Sequence, residues 1–372
     1  MHERHLHIVS FDIPFPANYG GVIDVFYKAK ALVEKGILVH LHCFEYNRNP
    51  APELEKMFHK VHYYKRDISK KNLFKSTPYI VSSRTSEELI QILSKDNYPI
   101  LLEGLHTCSV LEDPRLSGRK RVVRTHNIEH EYYQNLGKVE NDIFKKYYFY
   151  NEAAKLKRYE KILDNADLLL AISKNDEAYF TSEFKNVDFI PAFHPFKEVN
   201  CKSGKGNYVL YHGNLSVSEN SNAAKFLINN VFKDLDIPLK VAGLNPPKHL
   251  VNLFHNSKSI ELIANPDDKT LQDLIQNAQI NISITAQRTG LKLKLLNTLY
   301  NGRFCLVNDK MLSGSELDEL CIIANTHSSM RAKIKALFKQ DFDEKKINQR
   351  KKLLGTIYNN GHNVEHLIGL VC

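Results

Sequence analysis

Short β-rich runs alternate with longer stretches of helical periodicity along the whole chain, and the alternation restarts near its middle. Residues 5–11 read as a first strand, followed by a loop holding Pro14, Pro16, Gly20 and Gly21. Residues 22–35 then place Val22, Val25, Phe26, Ala29, Leu32 and Val33 on one helix face. Gly36 closes that helix, and 37–44 is a second strand. Further strands are expected at 100–102, 121–124, 167–172 and near 187–190. Residues 196–207 are polar and contain two glycines, the composition of a linker. Beyond it come strands at 208–211, 239–242, 260–262, 280–283 and 305–307. Between them lie a loop at 212–221 and helices at 222–232, 248–254, 270–277 and 291–300. Such alternation predicts an α/β protein with parallel sheets covered on both faces. The expected architecture is two doubly wound, Rossmann-like domains, residues 1–200 and 201–372, facing each other across a cleft. The last helix is free to pack back on the first domain.

Composition narrows the classes. A chain of 372 residues, 43% hydrophobic and 25% charged, buries enough apolar surface to order itself. It contains no apolar run of membrane-spanning length, and its first nine residues lack the apolar core of a signal peptide. A soluble, cytoplasmic protein is expected. The six cysteines form no CxxC pair and are read as free thiols of a reducing compartment. The seventeen histidines contain no HExxH, and His2, His5 and His7 lie in a terminal strand-like segment, so no metal site is expected. Net charge is +9, with 29 Lys/Arg against 27 Asp/Glu over residues 1–200 and 22 against 15 over 201–372. That excess suits phosphates or an anionic surface. Nucleic acid is not an expected partner, because acidic residues dilute the basic ones and no RNA or DNA motif is present.

In open α/β sheets ligands bind beyond the carboxyl ends of the strands, so the loops there are the candidate sites. Asn18-Tyr19-Gly20-Gly21 lies between a strand and a helix. Paired glycines and free helix N–H groups there suit an anion, and equally a plain strand–helix turn. His126, in Thr125-His126-Asn127-Ile128-Glu129, can donate to a substrate hydroxyl or a phosphate, or serve the structure alone. Gly213-Asn214-Leu215-Ser216 offers backbone amides to a phosphate, as would any turn. The most informative loop is Thr289-Gly290-Leu291-Lys292, which runs into a helix carrying Lys294 and Asn297. Lysines at a helix N-terminus oppose the macrodipole unless an anion is near. A diphosphate held by helix N–H groups and ammonium fits them; two solvated lysines on an amphipathic helix is the other reading.

With these loops in place, the chain resembles the group 1, or family 4, type of glycosyltransferase with the GT-B fold, almost end to end. The resemblance is carried by Pro14-Phe15-Pro16 through Gly20-Gly21 and by Val123-Arg124-Thr125-His126-Asn127-Ile128-Glu129. It continues through Arg158-Tyr159-Glu160, Ala171-Ile172-Ser173-Lys174, Gly213-Asn214-Leu215, Asn220 to Phe226 and Gly290 to Leu296 with Gly302. What it implies is transfer of a hexosyl group from a nucleotide sugar to an acceptor hydroxyl, with retention at the anomeric carbon. The donor would sit on the second domain and a glycan or lipid-linked acceptor on the first, in surface polysaccharide synthesis. By position, His126 matches the family's histidine near the transferred sugar. Gly20 and Gly21 match the loop facing the diphosphate, and Lys294 with Lys292 match the basic residues that neutralise it. Asn297 stands where the family has a glutamate on the ribose hydroxyls, and the loop of Asn265 is expected to select the base.

Several positions depart from that pattern. The family's Glu-x7-Glu is absent, with Gln287, Arg288 and Thr289 at the first glutamate region and Asn297 at the second. Asn214 and Asn220 stand where an arginine and a lysine are usual. Phosphate charge would then rest on Lys292, Lys294 and Arg288. No DxD-like metal motif stands out, so metal-independent chemistry without a resident cofactor is expected. Two other activities compete: a nucleotide-sugar epimerase, which needs an acid–base partner for His126 that the sequence does not reveal, and a non-catalytic nucleotide or sugar binder. The basic, aromatic run 143–159 and the lysines around 345–352 raise contact with the inner face of a membrane, against the alternative that the aromatics are core and the lysines solvated.

Overall fold

The computed structural model describes residues 3–140, 142–256, 259–288, 290 and 293–372. They form two compact units. The first runs to Pro195 and also includes Gly290 and Tyr358–Cys372; the second comprises Phe196–Arg288 and the later segment up to Ile357.

The first unit is built on seven strands: β1 (Arg4–Ser10), β2 (Ile37–Glu45), β3 (Lys60–Lys65), β4 (Ile100–Glu103), β5 (Arg121–Thr125), β6 (Leu168–Ala171) and β7 (Val187–Phe189). All are parallel, in the order β3-β2-β1-β4-β5-β6-β7. The central strands are covered on both faces, which is why Ile100-Leu101-Leu102 and Val122-Val123 are continuous apolar runs with no alternation. Leu6, Ile8, Val39, Leu41 and Leu101 pack on one face with Phe26, Ala29 and Leu32 of helix Gly20–Glu34. That helix ends where Gly36 adopts a φ of +79°, a left-handed conformation suited to glycine. Helix Asn360–Val371 joins the same core through Val364, Leu367 and Val371. Its approach is fixed by His194, whose Nε2 meets the Tyr358 carbonyl at 2.7 Å and whose own carbonyl accepts from Asn360 Nδ2 at 2.7 Å.

The second unit repeats the plan with β8 (Val209–His212), β9 (Leu239–Gly243), β10 (Ile260–Ala264), β11 (Ile280–Ser283), β12 (Phe304–Val307) and β13 (Ile322–Ile323). Their order is β10-β9-β8-β11-β12-β13, again all parallel. Its core gathers Val209, Tyr211, Val241, Ile280, Ile282 and Leu306 against Ala224, Leu227 and Val231. Arg350, buried in helix Glu344–Ile357, donates to the carbonyls of Leu299, Gly302 and Arg303 and so ties that helix to the entry of β12. One of the basic residues near the end of the chain is therefore internal.

The α/β class and doubly wound sheets expected from the sequence are observed. Strands β3 and β13 are additions. Only Tyr64 is buried in β3, whose ends are lysines, and β13 has two residues, so neither presents an apolar run. Residues 212–221 are not one loop: a helix begins at Ser218 and widens to a π-helical turn over Leu227–Val231. Its first turn is polar, so apolar periodicity begins only at Ala223.

Leu367→Ala should remove about 2–5 kcal/mol from the stability of the first unit, read by urea denaturation, because its side chain is fully buried.

Candidate active site

In each sheet the connection order reverses once, between β1 and β4 and between β8 and β11. Such switch points open a crevice at the carboxyl edge.

In the first unit that edge is occupied by buried charge. Helix Gly20–Glu34 carries Asp24 and Lys28 four residues apart on its inner side, both fully buried. Lys28 Nζ lies 3.0 Å from Asp24 Oδ2 and 2.8 Å from Glu103 Oε1, at the last residue of β4. Arg124, near the end of β5, meets Asp24 through Nη2 at 3.2 Å and donates to the carbonyls of Ala171, Ile190 and Pro191. The Phe193 amide donates to Asp24 Oδ1 at 2.8 Å. Burial alone would raise both carboxyls, but Arg124 and Lys28 hold Asp24 far below the carboxylate range, and Lys28 with His126 lowers Glu103.

His126 sits directly after β5, with Nε2 2.9 Å from Glu103 Oε2. The carboxylate that the sequence did not reveal as a partner is thus Glu103, at the end of the neighbouring strand. Glu103 is fully buried and bound to Lys28, so it fixes the imidazole and is not a free acid or base. With Nε2 committed, Nδ1 is the ring atom left to face a ligand. Asp24, Glu103 and His126 also lie close enough to share a cation. The Lys28 ammonium already stands between the carboxylates and would repel one.

The glycine pair opens helix Gly20–Glu34, whose first turn has no acidic residue and whose N-cap, Tyr19, makes no side-chain cap. Gly20 is unobstructed, whereas a Cβ on Gly21 would lie 2.6 Å from the Phe11 ring. That ring packs edge-on to His126 and against His106. The loop is braced by Asp12, which accepts from the Tyr19 hydroxyl at 2.6 Å, and by Arg84, which donates to the Phe11 carbonyl at 2.7 Å.

Beyond His126, the Glu129 carboxyl is buried with Oε1 unbonded, 4.0 Å from His106 Nδ1. Burial, opposed by a hydrogen bond from Asn127 and reinforced by Asp176, pushes it up to about 7. Gly290 adjoins these residues: its N–H donates to Asp176 Oδ2 at 3.1 Å, and a Cβ there would lie 2.4 Å from Asn127 Oδ1. Its φ of +64° and this close approach both require glycine.

In the second unit, Gly213 follows β8 and its amide donates to the Ala242 carbonyl at 3.1 Å. Asn214 folds on itself, accepting from Ser216 through N at 3.1 Å and Oγ at 2.7 Å. Asn220 bridges, giving Nδ2 to the Asn214 carbonyl at 3.0 Å and accepting from Lys294 Nζ at 3.3 Å. Lys294, at the start of helix Leu293–Asn301, also donates to the Ile284 carbonyl at 3.4 Å and lies over the Tyr211 ring. Among the described residues no carboxylate stands within ion-pair distance of it. Burial lowers its ammonium pKa, with Glu219 opposing. Burial and Lys294 together push His212 down to about 4. Glu219 is spent on the Thr285 hydroxyl and the Ala286 amide, the latter at 2.8 Å.

The remaining expected residues fall differently. Arg288 is exposed and 3.3 Å from Asp309. Asn297 accepts from Asn301 Nδ2 through its amide oxygen at 2.9 Å. Asn265, at a φ of +52°, accepts from the Asn245 amide at 2.7 Å at the ends of β9 and β10. Thr289, Leu291 and Lys292 lie outside the described residues. Within the second unit the fold brings together Gly213, Asn214, Asn220 and Lys294; within the first, Gly20, Gly21, His126 and Gly290 surround the Phe11–Asn127 region. Asp24, Lys28, Glu103 and Glu129 were missed as site residues. Their signal is a charge placed where an apolar strand ends or a helix face turns inward.

No family model matches the chain. An uncharacterized 44.6 kDa protein in the cps region of Klebsiella pneumoniae is 30% identical over 343 residues, covering 86% of this chain and 87% of that one. Sucrose-phosphate synthase from Thermosynechococcus elongatus superposes with a TM-score of 0.72 at 14% identity, over 99% of this chain and 98% of that one. The chain belongs to the family of the cps-region protein and has the GT-B fold. Two further solved structures share this GT-B fold. A variant of S. aureus TarM, solved with Fondaparinux, alpha-GlcNAc-glycerol and UDP, has a TM-score of 0.65 at 11% identity over 100% of this chain and 99% of that one. Anabaena HepE in complex with UDP and glucose has 0.65 at 10% identity, over 99% of each chain.

The raised Glu129 pKa makes a signed prediction for this GT-B protein. Its contribution is fully present below the ordinary glutamate pKa near 4.5 and is lost as pH rises through about 7. Between those limits wild-type stability should fall relative to Glu129→Gln by up to about 3 kcal/mol, checked by denaturant titration at several pH values.

Proposed function

We propose that this GT-B protein is a retaining glycosyltransferase that moves a hexosyl group from a nucleotide sugar to a hydroxyl of a glycan or lipid-linked acceptor in surface polysaccharide synthesis. The observation that carries this reading is Lys294: a partly desolvated ammonium at the carboxyl-edge switch point, held by an amide oxygen and a carbonyl with no carboxylate at contact distance among the described residues. Such a cation favours an anion, and the position is the one the family resemblance gives to the donor diphosphate. UDP in the TarM and HepE structures and the cps-region relative support a nucleotide-sugar substrate and a glycan product.

As the glycosidic bond breaks, negative charge grows on the leaving diphosphate. Lys294, at the carboxyl edge of the second unit, is the group that would stabilise it. The leaving phosphate takes the acceptor proton, and His126 Nδ1 binds a hydroxyl of the transferred sugar. Lysine and helix N–H groups supply the positive charge a divalent ion would otherwise bring, so transfer is metal independent.

One observation favours a second reading, a nucleotide binder without turnover: the Asn297 amide oxygen is taken by Asn301 at the place of the ribose-binding glutamate. Binding and turnover separate the two. A thermal-shift screen with UDP, GDP, ADP and CMP should show one stabilising nucleotide, worth about 2.7 kcal/mol at 100 times its Kd, and Lys294→Ala should abolish the shift. Nucleoside diphosphate release from the matching nucleotide sugar should persist in EDTA and fall by about 10²–10³ in Lys294→Ala. Turnover only with Mg2+ would refute metal independence, and binding without release would favour the binder.

Peripheral membrane contact belongs to the same proposal. Among the described residues no helix is long and apolar enough to cross a membrane. The first turns of helix Ile143–Tyr159, however, expose Ile143 (80%), Phe144 (88%) and Tyr147 (75%) beside the exposed Lys145 and Lys146. The far end does not share this character, since Lys155 is buried on Glu152. Vesicles containing anionic lipid should bind the protein, and Phe144→Ser with Lys146→Glu should weaken that binding at least tenfold, read by flotation. Equal flotation of wild type and variant would remove this helix from the proposal.

A further inference from the structure

At the amino-terminal half of the first sheet, away from the carboxyl edge, histidines converge. The parallel register pairs His7 with His40 and His42 with His62, and strand alternation adds His5 to the same face. Half of this ladder is closed. His7 is bonded to His42 at 2.8 Å and to Asp96 at 3.1 Å, and His42 to the Tyr64 hydroxyl at 2.8 Å, so their ring nitrogens are accounted for.

The other half reaches solvent at His59. His5 Nδ1 is 2.9 Å from His40 Nε2, and the ring of His59, just before β3, lies 4.9 Å from His40 and 5.5 Å from His5. One nitrogen from each of the three falls within 4.8 Å of the others. We propose that His5, His40 and His59 form a binding site for a late first-row divalent cation of the zinc or nickel class.

Imidazole nitrogens suit these metals, and three of them with one open position is a known coordination pattern for zinc. At metal–nitrogen distances near 2.0–2.1 Å, tetrahedral ligands stand roughly 3.4 Å apart, between the 2.9 Å of the His5–His40 pair and the 4.8 Å outer limit of the group. The ligands are graded in access. His40 is buried in the sheet and His59 is exposed, so an ion can enter from solvent and keep water at its fourth position. His5 is steadied on both sides, stacking on Tyr98 at 4.2 Å and turning Nε2 toward Glu3 Oε2 at 3.8 Å. A carboxylate behind a ligating imidazole orients the ring and raises its basicity. The ion would clamp the start of β1, the middle of β2 and the entry to β3.

The test uses the full chain without an affinity tag. Titration with ZnCl2 or NiCl2 by calorimetry should give one equivalent bound and a raised Tm. His59→Ala, at an exposed position that leaves the core intact, should weaken binding at least tenfold, and His5→Ala likewise, whereas His249→Ala in the second unit should bind as wild type does. Co2+ substitution should give the intense visible bands of a four-coordinate site. Absence of binding to wild type, or affinity unchanged in His59→Ala, would overturn the proposal and leave the histidines as a hydrogen-bonded filler of the sheet. Nucleotide binding should be the same with and without the ion, which keeps this test separate from the donor site.

Discussion

The first unit is organised around one buried ammonium. Lys28, fully buried, stands between Asp24 and Glu103, and each carboxylate has a second partner, Arg124 or His126. Removing any one member leaves an uncompensated charge in the core, which typically costs about 3–5 kcal/mol. Replacing the whole set by apolar residues would be far cheaper, so stability alone does not explain it. What the set does is geometric: it locks helix Gly20–Glu34 to the ends of β4 and β5 and, through Glu103, sets the tautomer and direction of His126. A glycine-opened helix end and an oriented imidazole follow from a single ion-paired knot.

The second unit solves a different problem with fewer charges. Its carboxyl edge is lined by amides, hydroxyls and backbone, and Lys294 is its half-buried cation beside an already engaged Glu219. An edge of this kind holds positive potential without a fixed counter-ion, while the first unit keeps its charges mutually neutralised.

Much of the architecture was legible because parallel sheets write long apolar runs and their helices write a clear period. Ile100-Leu101-Leu102 and the 22–33 stripe admit few other readings. The strands that escaped, β3 and β13, lie at sheet edges where little is buried. The site was less legible. His126, Gly20, Gly21 and Lys294 stand out by position in loops and helix starts, but Glu103 looks like an ordinary end to a strand and Asp24 like a polar interruption of a helix. Their burial comes from residues far off in the chain, as does the closeness of Gly290 to Asn127. The histidines show the same limit: His5 and His7 alone suggest only a polar first strand, and only sheet register brings His40 and His59 beside them.

Helix Asn360–Val371 lies in the same core as β1 and helix Gly20–Glu34, although the whole second unit separates them in sequence. During synthesis that unit cannot complete its packing when its own stretch emerges. Val364, Leu367 and Val371 arrive only after the whole second unit has been made, on the order of ten seconds or more later at typical elongation rates. The second unit, although translated later, holds all of its strands before the last helix appears and can close first. A chain that stops short of this helix is left with an open seam along helix Gly20–Glu34, which a chaperone or protease can recognise as unfinished.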